Sequence, residues 1–207
     1  MPRRPDLARR AELARAAFEV LRTRGMQTSM RELADALGIK RPTLYFYFPD
    51  LGAVFETVLD QMSQALTESV LARVREREHP IDRLRAVIDG TLAFHRERPQ
   101  LIGGLAQLWS LGGRDVSSVL ERERRGVLVA RDALIADLRA GIARKEVRAC
   151  EPERIVDLVL AFIAGTVVHH LLGVARSDDA TDDATDELAR RVLEPLRVQR
   201  RRKRARP

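Results

Sequence analysis

No stretch of this chain alternates apolar and polar residues two by two, the pattern a half-buried strand requires. Apolar residues recur instead at helical spacing, between glycines and prolines placed where helices stop and start. From Ala8 to Arg24 the stripe is Ala14, Ala17, Phe18 and Leu21, and Gly25 ends it. Ser29 and Glu32 stand in capping-box spacing ahead of Leu33, Ala34 and Leu37, and Gly38 permits a sharp turn. Pro42 suits the first turn of a third helix, on which Leu44 and Phe48 face inward together. Pro49 closes that helix and Asp50 caps the next. Amphipathic helices are expected over 51–77, 81–98 and 115–145, with a shorter one over 99–111 and a near-apolar one over 152–173. The acidic run over 177–183 reads as a linker, followed by a last helix over 185–197. The expected fold class is all-α with about nine helices. The expected division is a three-helix domain over 1–50, a larger helical domain over 51–197 and a basic, unpacked tail over 198–207, with Arg197 assigned to the polar tail as well.

The 207 residues, 45% apolar and 32% charged, suffice for a buried core and exclude a wholly disordered chain. The longest near-apolar stretch, Ile155 to Leu172, is interrupted by Asp157, Gly165, His169 and His170, too soon for the ~20 residues a bilayer span needs. MPRRPDLARR has no apolar secretory core, so a cytoplasmic protein is expected. Cys150 is alone, which excludes an intrachain disulfide and a multi-cysteine metal site. Charge is unevenly spread. The net +7 is the balance of +4 over residues 1–54, +7 over 196–207 and −4 between them. Basic ends on an acidic middle suggest that nucleic acid meets the ends; a solvated charged surface is the plainer alternative.

The segment from Ser29 to Phe48 carries the most information. Two short helices joined at Leu37-Gly38-Ile39 match a helix-turn-helix, whose second helix enters the DNA major groove by its N-terminal end. That end reads Lys40, Arg41, Pro42, Thr43, Leu44, Tyr45: two cations, a hydroxyl and an aromatic. A purely structural hairpin has no need of Lys40, Arg41 and Tyr45 on its outward face. No catalytic arrangement stands out, and no metal or cofactor is expected. His79 lies in a charged loop, and His169 and His170 point about 100° apart on a helix, which makes them poor co-ligands. Gly103-Gly104 lacks the strand that a phosphate-binding glycine loop requires.

The stretch AAFEVLRTRGMQTSMRELADALGIKRPTLYFYF resembles the DNA-binding domain of the TetR family of transcriptional regulators. The matching marks are Phe18, Gly25, Thr28-Ser29-Met30, Leu33-Ala34, Gly38 and Thr43-Leu44-Tyr45-Phe46-Tyr47-Phe48. RPTLYFYFP also resembles the subgroup that contains the mycobacterial ethionamide-resistance repressor. The family pattern implies that Arg31, Arg41, Pro42 and Tyr45 face base edges. Arg41 can donate bidentately to guanine, and Pro42 and Tyr45 can touch a thymine methyl. It implies phosphate contacts at Ser29, Lys40, Thr43 and Tyr47, with helix packing the alternative for Tyr47. Leu51 stands where many members carry Lys, so the resemblance implies one lost phosphate anchor; packing between helices is the competing reading. Arg3, Arg4, Arg9 and Arg10 either reach a minor groove or form a solvated arm.

The remaining helices resemble the family in plan only, which implies an effector pocket and a homodimer. Leu158, Val159, Leu160, Phe162 and Ile163 wrap most of one helix, so a face lacks a home within one subunit, with burial within the monomer alone the alternative. Val159, Phe162, Ile163, Leu188, Val192 and Leu196 are the candidate dimer residues. His95, Trp109, Phe162 and His169 are the candidate effector contacts, with core packing the alternative for His95 and Trp109. The expected function is a ligand-responsive regulator, more a repressor than an activator. It would bind a palindromic double-stranded operator as a homodimer and release it on meeting a small, largely apolar effector. Such a protein sits in the cytoplasm, on the nucleoid when bound. A ligand-independent or activating regulator, an α-helical enzyme with an incidental helix-turn-helix, and a general DNA-coating protein are the rivals.

Overall fold

The computed structural model describes residues 6–25, 27–98, 117–174 and 178–198, and among them it contains helices and no strand. The helices are α1 (Leu7–Arg24), α2 (Met30–Ala36), α3 (Arg41–Tyr47), α4 (Leu51–Arg75), α5 (Pro80–Arg96), α6 (Ser117–Ala143), α7 (Pro152–Leu171) and α8 (Asp178–Leu188). A π-helical turn, Ala189–Leu193, and a 3-10 turn, Glu194–Leu196, continue α8. The expected helix over 99–111, and Trp109 with it, lies outside the described residues. No helix among the described residues is long and apolar enough to cross a membrane.

The described residues form two compact units, one of residues 6–66 with 117–124 and one of residues 67–98 with 125–198. In the first, α1 buries Leu13, Ala14, Ala17, Phe18 and Leu21, the expected helical stripe with Leu13 added. Asp6 caps α1 by accepting from the Ala8 and Arg9 amides. Phe18 meets Phe55 of α4 edge to face, with ring centroids 6.5 Å apart. Leu33, Ala34, Leu44 and Phe48 close the core from α2 and α3, each 0% exposed. Leu51 belongs to this core at 3% exposure. The competing packing reading therefore holds for Leu51, because it opens the stripe of Val54, Phe55 and Val58 that α4 buries.

The second unit packs α5, the C-terminal part of α6, α7 and the π turn around Leu84, Ile88, Ile135, Leu138, Val156, Val159 and Leu193. Two ion pairs align its long helices: Arg83 with Asp137, 2.6 Å, and Arg131 with both oxygens of Asp157, 2.5 and 2.9 Å. His79 caps α5, its Nδ1 accepting from the Ile81 amide at 3.1 Å while Nε2 lies 3.2 Å from the Glu146 carbonyl oxygen. With Nδ1 accepting, Nε2 is the nitrogen placed to donate to that carbonyl.

Two expectations for the C-terminal part are corrected. The acidic run is the body of α8 rather than a linker. Thr181 and Thr185 lie four apart and are buried, with the Thr185 hydroxyl donating to the Thr181 carbonyl. Asp182 and Asp186 reach Arg96 and Arg85 of α5. Carboxylates early in a helix also suit its dipole. Nor is Arg197 part of an unpacked tail. It pairs with Val147 in an isolated antiparallel bridge, and its guanidinium donates to both carboxylate oxygens of Asp82. The Val198 amide donates to the Glu146 carbonyl at 2.9 Å.

Candidate nucleic-acid interface

The entry to α2 is built as its sequence dictates. The Ser29 amide and hydroxyl donate to Glu32 Oε2 at 2.8 and 2.7 Å, and the Glu32 amide donates back to Ser29 Oγ at 3.3 Å. The bond from the Ser29 amide, with that from its hydroxyl, holds the Glu32 carboxyl below the usual range. The Ser29 proton is thus engaged within the cap, and a phosphate could take it only by displacing Glu32. Gly38 turns the chain at φ +63°, a left-handed conformation open to glycine and strained for most other residues.

Seven residues then form α3, with proline in its first turn and no side-chain cap. Leu44 and Phe48 pin its inner side. Arg41, Pro42, Thr43 and Tyr45 are exposed, as are Lys40 before the helix and Arg31 on α2. Within this helix-turn-helix the structure gives one outward face two cations, a hydroxyl and an aromatic. Arg41 is loosely tethered, its guanidinium 3.8 Å from Asp35 on α2, and so remains available to an incoming acceptor. Tyr47 is half-buried, its ring wedged 5.2 Å from Phe46 and 6.5 Å from Phe48. It packs in the helix and shows only its rim.

The N-terminal arginines divide. Arg9 pairs with Glu12 at 3.0 Å. Arg10 lies over the Phe48 ring, 5.4 Å from its centroid, so it braces α1 against the end of α3 instead of reaching outward. Arg3 and Arg4 lie outside the described residues. Phe46, to which the family pattern assigns no contact in the sequence analysis, is 47% exposed beside Tyr45 at 51%. Its helical offset from Leu44 was the available signal.

Residues 13–58 match the family described as bacterial regulatory proteins, tetR family. This segment resembles the N-terminal domain of the TetR family. The matched segment runs from Leu13 in α1 to Val58 in α4 and contains every residue of the α3 face. The nucleoid occlusion factor SlmA of Haemophilus ducreyi is 28% identical over 101 residues, 48% of this chain and 50% of that protein. The chain therefore spans about half the length of the curated relatives it matches first. The protein of that name from Vibrio campbellii is 25% identical over 173 residues, 82% of this chain and 85% of its own. A TetR transcription regulator from Haloarcula marismortui has the same fold, with a TM-score of 0.74 at 19% identity over 92% of this chain and 100% of that one.

The residues expected to meet an effector or a second subunit all fall, where described, in the second unit. His95 is half-buried on α5, its Nδ1 2.7 Å from the Thr91 carbonyl oxygen. Phe162 is half-buried against the core, and His169 is exposed. Val159 is 0% and Ile163 8% exposed, so both face this subunit's own core. Leu188, Val192 and Leu196 pack against the same cluster. The open face of α7 is a different one. Leu158, Ala161, Gly165, Val168 and Leu172 are all exposed, at spacings of three and four residues. Burial raises the Cys150 thiol pKa, which argues against a reactive thiolate there.

Proposed function

We propose that the chain is a homodimeric transcriptional repressor that reads a palindromic operator through α3. The observation that carries this reading is the outward face of Lys40, Arg41, Pro42, Thr43 and Tyr45. Cations and a phenol stand exposed there on a helix whose inner side is locked by Leu44 and Phe48. Arg41 supplies a fork for guanine, and Pro42 and Tyr45 supply apolar contact with thymine. Arg31 joins them from α2, while Lys40, Thr43 and the rim of Tyr47 serve phosphates.

Dimerisation is supported by the α7 stripe. Leu158, Val168 and Leu172 are 44, 39 and 70% exposed, and Ala161 and Gly165 between them allow a second helix to approach closely. Alternating steps of three and four form the seam along which two helices pack, and a twofold partner offers the same stripe in return. The effector is a small, largely apolar molecule held in the second unit. The support is compositional: the helices that carry His95 and Phe162 are rich in aliphatic residues. Such a ligand releases DNA by binding better to the conformation in which the two α3 helices no longer match the groove spacing. In the cell the protein is cytoplasmic, on the nucleoid when bound.

Selection of duplexes from a randomised pool by the whole protein tests the DNA reading. An inverted repeat supports it, and the absence of any preferred site refutes it in favour of general DNA coating. Sedimentation of Leu158→Arg tests the dimer. The variant should be a folded monomer, whereas Val159→Arg should unfold because it buries a charge in the subunit's own core. A wild-type monomer at micromolar concentration would sink the dimer. A second reading follows the 173-residue likeness to the Vibrio campbellii nucleoid occlusion factor. Under that reading the chain would be spread over many chromosomal sites, and as a repressor over few, which chromosome-wide mapping separates.

A further inference from the structure

We infer that Phe46 reads the C5 methyl group of a thymine in the major groove. The inference rests on the DNA reading proposed above. At about 100° per residue, Pro42 and Phe46 each lie about 160° round α3 from the buried Leu44, farther outward than any other residue of the helix. Arg41 and Tyr45 flank this pair on one side, Thr43 and Tyr47 on the other. The centre of the face is therefore an apolar row, Pro42 followed one turn later by Phe46, beside a polar row of Arg41 and Tyr45.

Phe46 is 47% exposed, so the free chain leaves about half of a large apolar side chain in solvent. Its ring stands edge to face against Tyr47, with centroids 5.2 Å apart and planes at 83°. This contact holds the ring before DNA arrives, so little side-chain freedom is lost on binding. A phenyl ring has no donor or acceptor to offer a base edge. The apolar feature that the major groove presents is the thymine methyl. Phe46 follows Tyr45 toward the C-terminus of the helix, so its base pair neighbours the one Tyr45 contacts.

Deoxyuridine, which lacks only that methyl, is the probe. The whole protein selects a duplex, and each thymine in turn is replaced by deoxyuridine for affinity measurements with wild type, Phe46→Ala and Phe46→Leu. At one position the wild type should weaken about fourfold per half-site and about fifteenfold when both half-sites are changed, the effect of one buried methyl group. Phe46→Ala should be indifferent to the change at that position yet keep its sensitivity elsewhere. Phe46→Leu, still apolar, should keep part of it. The melting temperature should fall by no more than a few degrees in either variant, because the ring gives up only its contact with Tyr47 and its half-buried surface.

The inference is overturned if Phe46→Ala retains every methyl sensitivity of the wild type, which would put the ring on the sugar-phosphate backbone or in solvent. Failure of the underlying DNA reading has a different signature. No duplex is then enriched, or Arg41→Ala and Tyr45→Ala bind the enriched duplex as wild type does, and this inference falls with it.

Discussion

Replacing Gly141 by Ala sets helix propensity against packing, and the surroundings of this residue decide the sign. Glycine inside a helix is less favourable than alanine by about 1 kcal/mol, so the substitution alone should stabilise. A Cβ at position 141, however, would lie 2.8 Å from both Pro80 Cγ and Val147 Cγ2. Neither neighbour can swing away. Pro80 is a ring in the first turn of α5, and the Val147 side chain is β-branched and buried. The amides of Glu146 and Val147 both donate to the Gly141 carbonyl, at 2.9 and 3.2 Å, which holds that segment against α6. Overpacking of this kind costs about 1–3 kcal/mol. Gly141→Ala should therefore destabilise by a net ~1 kcal/mol, within about 0–2, and lower the melting temperature by about 2–4 °C. Gly126→Ala on the same helix is the control, since its Cβ would meet nothing within 4 Å. It should stabilise by up to ~1 kcal/mol. Thermal unfolding followed by circular dichroism measures both. If Gly141→Ala melts at or above the wild-type temperature, the close approach of α5, α6 and Val147 is not a constraint on this fold.

Arg41→Ala and Tyr45→Ala should each lose about 1–3 kcal/mol of specific binding per half-site in a gel-shift titration, with melting temperatures unchanged. Leu51→Lys should lower stability by about 2–4 kcal/mol by placing a charge in the first core, without steepening the dependence of affinity on salt. A slope steeper by about 1.8 for two subunits would mean that the introduced ammonium reaches phosphate after all. Hydrogen bonding from Arg197 holds the Asp82 carboxyl below its ordinary 3.8. A depressed carboxylate stabilises the fold above that value, and the contribution disappears as the pH falls through the folded-state pKa. Asp82→Asn should accordingly cost stability at pH 7 and nothing in strong acid. Asp82 is 43% exposed, so the cost should not exceed about 1 kcal/mol.

Much of the first unit was legible in the chain because its signals are local. A capping box needs two residues three apart, and Ser29 and Glu32 form it as read. Gly25 and Gly38 break the chain where they occur, and both have positive φ. Leu44 and Phe48, four apart on one helical face, are both fully buried. The outward residues of α3 follow from that inward pair by helical geometry alone. Residues 177–183 misled for the same reason. Their acidic composition suits a solvated linker, and only contact with α5 shows that every fourth residue, Thr181 and Thr185, turns inward while Asp182 and Asp186 meet arginines.

What the sequence alone determined, then, is the class of fold, the helix starts and stops of the first domain, and the face that α3 offers. Tertiary structure decided which of several equally apolar directions each remaining helix turns inward. Apolar residues surround α7, so its periodicity cannot distinguish the face that meets its own subunit from the face left open. Packing against α5, α6 and the π turn takes Val156, Val159 and Ile163, and leaves Leu158, Val168 and Leu172 outside. The same holds for Arg10 and Arg197. Each reads as a solvated cation beside other cations, until a partner distant in sequence, the Phe48 ring or the Asp82 carboxylate, comes within reach. Charge and periodicity are properties of a segment, whereas burial belongs to a pair of surfaces, and the second surface is supplied only by the folded chain.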